Sequence, residues 1–392
     1  MRRLFLLLAI LVAVPDRVDA APCANLPNPV YLQVGDTQLN VMKRLGRALR
    51  DNTPNPISLV FITSGSCANI TAIYTRVPIT MNMQYIPSMA EDPAWVPSSP
   101  TLSCEAPTGG VVPDIANSAV FNSICTQDPP PATVRLTEGP KQAYVMAVPE
   151  SQTEHKAITF EEAYFTFGFG AAGMINPWMN ESQMFIRTIT KSTLLAWAAN
   201  ISVPGDKWKG MRFDGSPMVV AAVEAGPPEA IGILGQEVYD SRRATLNILA
   251  FRSRGQYAAY YPDSDATSFD KKNVRDGHYT VWSPTIWMDT VDGAGAPVSA
   301  RARYVVDLIA GRSVIPAQNF DMTKIVADVG LVPDCAMGVK REYEGGPLSL
   351  YQPAESCVCK FESLVASSSC ATCDGTTPCA TGTCRAGFCE VR

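Results

Sequence analysis

The placement of twelve cysteines constrains this 392-residue chain more than any other feature. Five of them, Cys23, Cys67, Cys104, Cys125 and Cys335, are spread thinly over a long body, and the other seven crowd between Cys357 and Cys389. An even count in an exported chain reads first as disulfides. The crowded end runs CATCDGTTPCATGTCRAGFCE and is rich in Ser, Thr and Gly. Such a stretch cannot enclose an apolar core and must be stapled. Its CxC and CxxC spacings also suit zinc, but His155 and His278 are the only histidines, which excludes a histidine-rich site. Assigning Cys335 to the C-terminal group gives both groups an even count. Cys335 is therefore expected to pair with Cys357 or Cys359, and Cys104 with Cys125. Cys67 follows a helix-start turn, where a thiol can become nucleophilic. With Cys23, Cys104 and Cys125 at hand, a disulfide is the favoured use.

Export is itself legible at the N-terminus. Met1-Arg2-Arg3 is positive, Leu4 to Val14 is apolar throughout, and Val18-Asp19-Ala20 has the small residues that a signal peptidase reads. A signal peptide over 1–20 follows. The apolar run is about half of the roughly 20 residues needed to span a bilayer, and no later segment is long enough, so no transmembrane segment is expected. Removing 1–20 leaves 29 basic residues against 35 acidic ones. That balance argues against nucleic acid as a partner, yet leaves room for a small anion in a locally positive pocket. The expected location is periplasmic or secreted.

The body alternates strand and helix patterns. Leu39, Met42, Leu45 and Leu49 recur near helical spacing between Thr37 and Asp51. Ile57 to Ile62 reads as a buried strand. Thr159 and Glu162 form a capping box for a helix that Gly168 should end. Ser216-Pro217 opens another helix, Ala230 to Leu234 returns as a strand, and Ala302 to Ile309 is a late helix stopped at Gly311. Alternation predicts an α/β fold with a mainly parallel sheet. A body of about 320 residues is too long for one core, so two lobes are expected. Gln142 to Pro149 and Leu246 to Phe251 read as the crossings. Lobe 1 is then 28–143 with 247–335, lobe 2 is 144–246, and a Cys-rich tail covers 345–392. The tail beyond about Gly345 is expected to be dispensable for folding of the lobes.

Three turns carry the chemistry: Gly35-Asp36-Thr37, Thr63-Ser64-Gly65-Ser66 and Arg187-Thr188-Ile189-Thr190-Lys191-Ser192-Thr193. Each follows an extended run and opens a helix, where free N–H groups and neighbouring hydroxyls suit an oxyanion. Thr37, Ser64, Gly65, Ser66, Arg187, Lys191, Ser192 and Thr193 are the candidates, with Arg187 as a charged fork and Lys191 as a point charge. No Gly-x-Ser-x-Gly elbow or HExxH is present. No nucleophile–base pair supports an enzyme, and no cofactor is called for.

In the order of these motifs, together with Pro113-Asp114-Ile115-Ala116-Asn117-Ser118, Glu229 to Leu234 and Asp276-Gly277-His278-Tyr279, the chain resembles the periplasmic phosphate-binding proteins of bacterial ABC uptake systems. The resemblance runs from about Asn28 to Ile286. It implies a two-lobed type 2 periplasmic binding fold closing on a small, phosphate-like oxyanion, with Ser118 added to the ligand set and an ABC permease as partner. The alternative is an exported interaction protein that keeps the fold and has lost or changed the ligand. Two departures bear on the ligand. The family usually has an aspartate after the third-motif serine, where this chain has Ala119, and a Ser-Gly-Thr where it has Lys191-Ser192-Thr193. Both are expected to alter phosphate selectivity.

Overall fold

The computed structural model describes residues 20–391 apart from 53, 375 and 377, so the signal peptide expected over 1–20 lies, but for its last residue, outside the described residues. In chain order the first half contains β1 (Pro29–Gly35), α1 (Leu39–Arg50), β2 (Ser58–Ser64), α2 (Ser66–Thr75), β3 (Met83–Tyr85), β4 (Leu102–Cys104), β5 (Ile115–Ser118), β6 (Val134–Pro149), β7 (Ala157–Thr159), α3 (Phe160–Phe169), β8 (Met184–Arg187) and α4 (Ser192–Asn200). It continues with β9 (Met211–Phe213), α5 (Ser216–Glu224), β10 (Ile231–Gly235), α6 (Gln236–Asp240), β11 (Leu246–Ile248), β12 (Ala250–Arg252), α7 (Lys272–Arg275), β13 (Trp282–Thr290), α8 (Ala300–Ile309), α9 (Met322–Asp328) and α10 (Val358–Val365).

The 16-residue β6 organises the molecule. Its first part, Val134 to Ala143, pairs antiparallel with β13, beyond which lie β5, β1, β2, β3 and β4. Its second part pairs with β10 and β11, and β8 and β9 extend that side. One strand therefore joins the two sides of an 11-stranded sheet, and Gln142 to Pro149 lies within it. The second expected crossing differs. Leu246 to Ile248 pairs with Pro149 to Ala147 and stays on the second side, and the chain rejoins the first sheet at Trp282, opposite Ala143. Leu246 and Ile248 lie in the same apolar cluster as Val145, Ala147 and Leu234, so their burial is satisfied without leaving the second lobe. The sheet is mixed rather than mainly parallel, because the two strands at its centre, β6 and β13, run antiparallel to each other.

Strand alternation sorts the core. Tyr144, Met146 and Val148 face a cluster with Ile186, Trp197 and Phe251, while Val145 and Ala147 face the other layer with Val219 and Val223. The first lobe buries Val30, Leu32 and Val34 of β1 against Met42, Leu45 and Leu49 of α1 and Val305 and Val306 of α8. The capping box at Thr159 and Glu162 forms, but α3 runs through Gly168 and ends at Gly170, whose φ of +57° lies in the left-handed region. Gly311, at φ +71°, follows α8 as expected.

Six disulfides join Cys23–Cys104, Cys67–Cys125, Cys335–Cys357, Cys359–Cys370, Cys373–Cys384 and Cys379–Cys389. Cys335 does pair with Cys357. The expected Cys104–Cys125 bond is replaced: β4 is an edge strand beside the N-terminal turn, so Cys104 meets Cys23, and Cys125 meets Cys67 at the start of α2.

The tail is not independent of the lobes. Phe361 of α10 is fully buried in the main cluster with Val274, Trp282 and Met337. Arg275 Nη2 lies 2.9 Å from Glu362, and Lys360 Nζ 2.9 Å from Asp321, the N-cap of α9. Glu390, near the C-terminus, accepts from the Cys359 and Lys360 N–H groups and so caps α10. Phe361→Ala should therefore destabilise the whole body by about 3–5 kcal/mol in denaturant unfolding. A loss under 1 kcal/mol would show that the tail is an appendage after all.

Candidate functional site

The three sequence turns meet where the halves of β6 diverge. Arg187, at the end of β8, is fully buried. Its Nε donates to Phe213 O at 3.2 Å, Nη1 to Ser216 Oγ at 2.5 Å, and Nη2 to Asp214 O at 2.5 Å. Nη2 also reaches Asp36 Oδ2 at 2.7 Å, and Asp36 belongs to the other lobe, in the turn after β1. Four of the five guanidinium N–H groups are thereby committed, leaving one Nη1–H free for a ligand. The lobes also touch at Gly65. A Cβ there would lie 2.7 Å from Thr190 Oγ1 and 2.8 Å from Thr190 O, and Cys67 N–H donates to that same carbonyl at 3.3 Å. Only glycine permits this approach, which lays the turn before α4 across the start of α2.

The expected site residues divide into two groups. Ser118 Oγ donates to Val120 O and accepts from Val120 N–H, and Ser66 Oγ accepts from Ala119 N–H, so both hydroxyls brace the 118–120 loop. Ser192 is buried at the first position of α4. Lys191 Nζ, 7% exposed, lies 3.3 Å from Asp214, and Ser64 is only partly buried. Thr37 and Thr193 stand apart. They come from opposite lobes, are 3% and 0% exposed, and neither hydroxyl has a hydrogen-bond partner. A buried unpaired hydroxyl costs about 1–3 kcal/mol and calls for an explanation.

Four further residues were not singled out in the sequence. Gln38 Nε2 donates to Gln142 Oε1 at 2.6 Å, leaving Gln38 Oε1 and Gln142 Nε2 unpartnered. Tyr144, two residues along β6 from Gln142, donates to Ala119 O across the junction. Burial raises its phenol well above the usual value, as do the charges of Glu344, Glu237 and Asp36. Glu237, second residue of α6, is 4% exposed, and neither of its carboxyl oxygens has a partner in another residue. Burial pushes its pKa well above the ordinary carboxylate range, with Asp36 and Asp240 adding to the rise and Arg187 opposing it. No spacing rule marks Glu237. The available signal was a carboxylate placed directly after a strand–Gly turn, Ile231 to Gly235.

A groove of about 740 Å³ elsewhere, lined by Arg312, Asp334, Tyr351 and Glu355 among others, includes none of these residues. Among the described residues, Cys373, Cys379 and Cys389 are the one metal-compatible group, and all three are in disulfides. No helix of the described residues is long and apolar enough to cross a membrane.

This geometry defines the class: two lobes hinged on shared strands, with polar groups from both enclosed between them, as in periplasmic binding proteins. A candidate phosphate ABC transporter substrate-binding protein with bound phosphate from Clostridium perfringens superposes with a TM-score of 0.51. It is 14% identical, and the match covers 78% of this chain and 99% of that one. An ABC-type phosphate transport receptor from Vibrio cholerae gives 0.50 at 11% identity, over 78% and 100% of the two chains. The chain has their two-lobed type 2 periplasmic binding fold, with a disulfide-stapled C-terminal tail. No family model and no curated protein matches it.

The buried acid gives a test by pH. A carboxyl held protonated by folding contributes stability that is complete below the unfolded carboxylate value, near 4.3. That contribution is lost as pH rises from there toward the folded value, at up to about 1.4 kcal/mol per pH unit. Glu237→Gln should remove this part of the slope and be more stable than the parent at neutral pH. Parallel stability–pH curves for the two proteins would show that Glu237 is not held protonated.

Proposed function

We propose that this protein is an exported solute receptor that encloses the oxyanion group of a small, phosphate-like ligand between its lobes, for delivery to an ABC-type permease. The observation that carries the reading is the pair of buried, unpartnered hydroxyls, Thr37 and Thr193, in the two turns that supply the Asp36–Arg187 ion pair. Hydroxyls left unsatisfied in the closed protein become satisfied when an acceptor oxygen occupies the space between them. Arg187 adds its one uncommitted N–H and a positive charge, and the buried Lys191, paired with Asp214, belongs to the same turn. Six disulfides suit an oxidising compartment. Transport fits the names of the structural neighbours, and no feature of the site supplies a nucleophile.

A second reading, an exported interaction protein with the fold but no transported ligand, has one observation in its favour. Asp36 already occupies the anion seat on Arg187.

Thr193→Val separates the two. The substitution removes a buried hydroxyl that has no partner in the unliganded protein, so stability should hold or rise slightly. Ligand affinity should fall about tenfold, the value of one lost hydrogen bond of roughly 1.4 kcal/mol. The parent protein, at a ligand concentration 100 times Kd, should gain about 2.7 kcal/mol. Thermal unfolding across phosphate, sulfate and organic oxyanions reads both effects. No stabilisation by any of them selects the interaction protein.

A further inference from the structure

The turn after β1 is held at both ends. Asp36 Oδ2 lies 2.7 Å from Nη2 of Arg187 in the second lobe, and Gln38 Nε2 donates to Gln142 Oε1 of β6 at 2.6 Å. Asp36, Thr37 and Gln38 are consecutive residues of one short helical turn, so the unpartnered Thr37 hydroxyl belongs to the residue between the two tethers. Gln142 and Tyr144 share a face of β6. Gln142 meets the first turn, and Tyr144 donates to the carbonyl of Ala119, whose N–H donates to Ser66 Oγ in the second turn. The amide pair thus lies on the face of β6 that looks onto the turns.

A carboxamide has one acceptor oxygen and an NH2 that donates twice. A single hydrogen bond between two of them leaves an oxygen over on one side and an NH2 on the other. Here the remainders are Gln38 Oε1 and Gln142 Nε2, both without partners, on residues that are 1% and 0% exposed. The hydroxyls of Thr37 and Thr193 can donate or accept, and Arg187 can only donate. Gln38 Oε1 can only accept. A fully ionised oxyanion offers acceptors alone and leaves that oxygen unsatisfied, whereas a ligand with an O–H satisfies it. Building on the receptor reading above, we propose that Gln38 sets the specificity of the cleft, for a small oxyanion that bears an O–H of its own. The hydroxyls, Arg187 and Gln142 Nε2 hold the ionised oxygens, and Gln38 Oε1 accepts from the O–H. That group sits either on the oxyanion itself, as in hydrogen phosphate, or on the neighbouring carbon, as in a 2-hydroxy acid; the acceptor it needs is the same.

The test is titration calorimetry of the full chain at neutral pH with two matched pairs of probes, phosphate against sulfate and glycolate against acetate. The first member of each pair has an O–H and the second has none. In at least one pair the O–H-bearing member should bind roughly tenfold to a hundredfold more tightly, and the pair that does so tells where the O–H sits. Gln38→Met, similar in length but without the acceptor, should erase that preference by weakening the O–H-bearing member alone. Gln38→Glu keeps an acceptor oxygen, so it should weaken every anion yet retain the preference. Equal binding within both pairs by the parent protein overturns the role of Gln38 and leaves the oxyanion receptor standing. A preference that survives in Gln38→Met, or an equal loss of both members there, overturns it too, the latter by showing that Gln38 only braces the turn. Failure of all four probes to bind the parent overturns the receptor reading as well. The ratios measured on the parent, together with Gln38→Glu, keep the proposal open to refutation even if Gln38→Met folds poorly.

Discussion

The ion pair between Asp36 and Arg187 is the contact on which the architecture turns. Arg187 is fully buried, and its other committed N–H groups go to Phe213, Asp214 and Ser216 within its own lobe. Only Asp36 comes from across the cleft. A guanidinium desolvated this thoroughly needs a compensating carboxylate, because an unpaired buried charge costs several kcal/mol. Closure of the lobes supplies it. Beside this pair Thr190 lies over Gly65, and the carbonyl of Thr190 accepts from the N–H of Cys67 at the start of α2. The polar groups between the lobes are then sealed from water.

Behind the cleft, a second charged cluster sets the position of α6. Lys271, 2% exposed, lies 3.0 Å from both Asp240 and Asp263, and Arg243 reaches the same two carboxylates. Gln236 Nε2 donates to both acids as well. This network pairs Asp240 and Asp263 with cations, whereas Glu237 on the same helix has no partner in another residue. A buried acid without a partner, next to a paired set, calls for an explanation of its own. Burial raises the pKa of Asp263, and Lys271 opposes that rise by stabilising the anion; Glu237 has no equivalent.

The C-terminal region completes the body. The Cys335–Cys357 bond brings α10 back beside α9, and Phe361 enters the core of the second lobe. Glu362 holds α7 of that lobe, while Lys360 holds the cap of α9, which packs with the first. The same helix therefore bridges elements of both lobes, and the remaining three disulfides beyond it lie within the tail.

Much of this was legible in residues 20–391 before any coordinates. Leu39, Met42, Leu45 and Leu49, the Thr159–Glu162 box and Ser216-Pro217 act through neighbours three or four residues away, and local spacing records such contacts. Parity assigned Cys335 to Cys357 or Cys359, of which the fold uses Cys357, and composition marked the three helix-start turns. What the sequence could not decide is which distant groups satisfy one another. Cys104 chose Cys23 because edge-strand pairing brought them together, and Ser118 and Ser66 were used up by a loop. The return crossing moved to Trp282 because Leu246 and Ile248 could be buried earlier. Asp36 and Glu237, one paired with Arg187 and one left alone, are separated by 200 residues from each other in the chain. Burial and partnering are properties of packing, so the residue types capable of binding were fixed by sequence, while tertiary structure alone determined which of them remain unsatisfied.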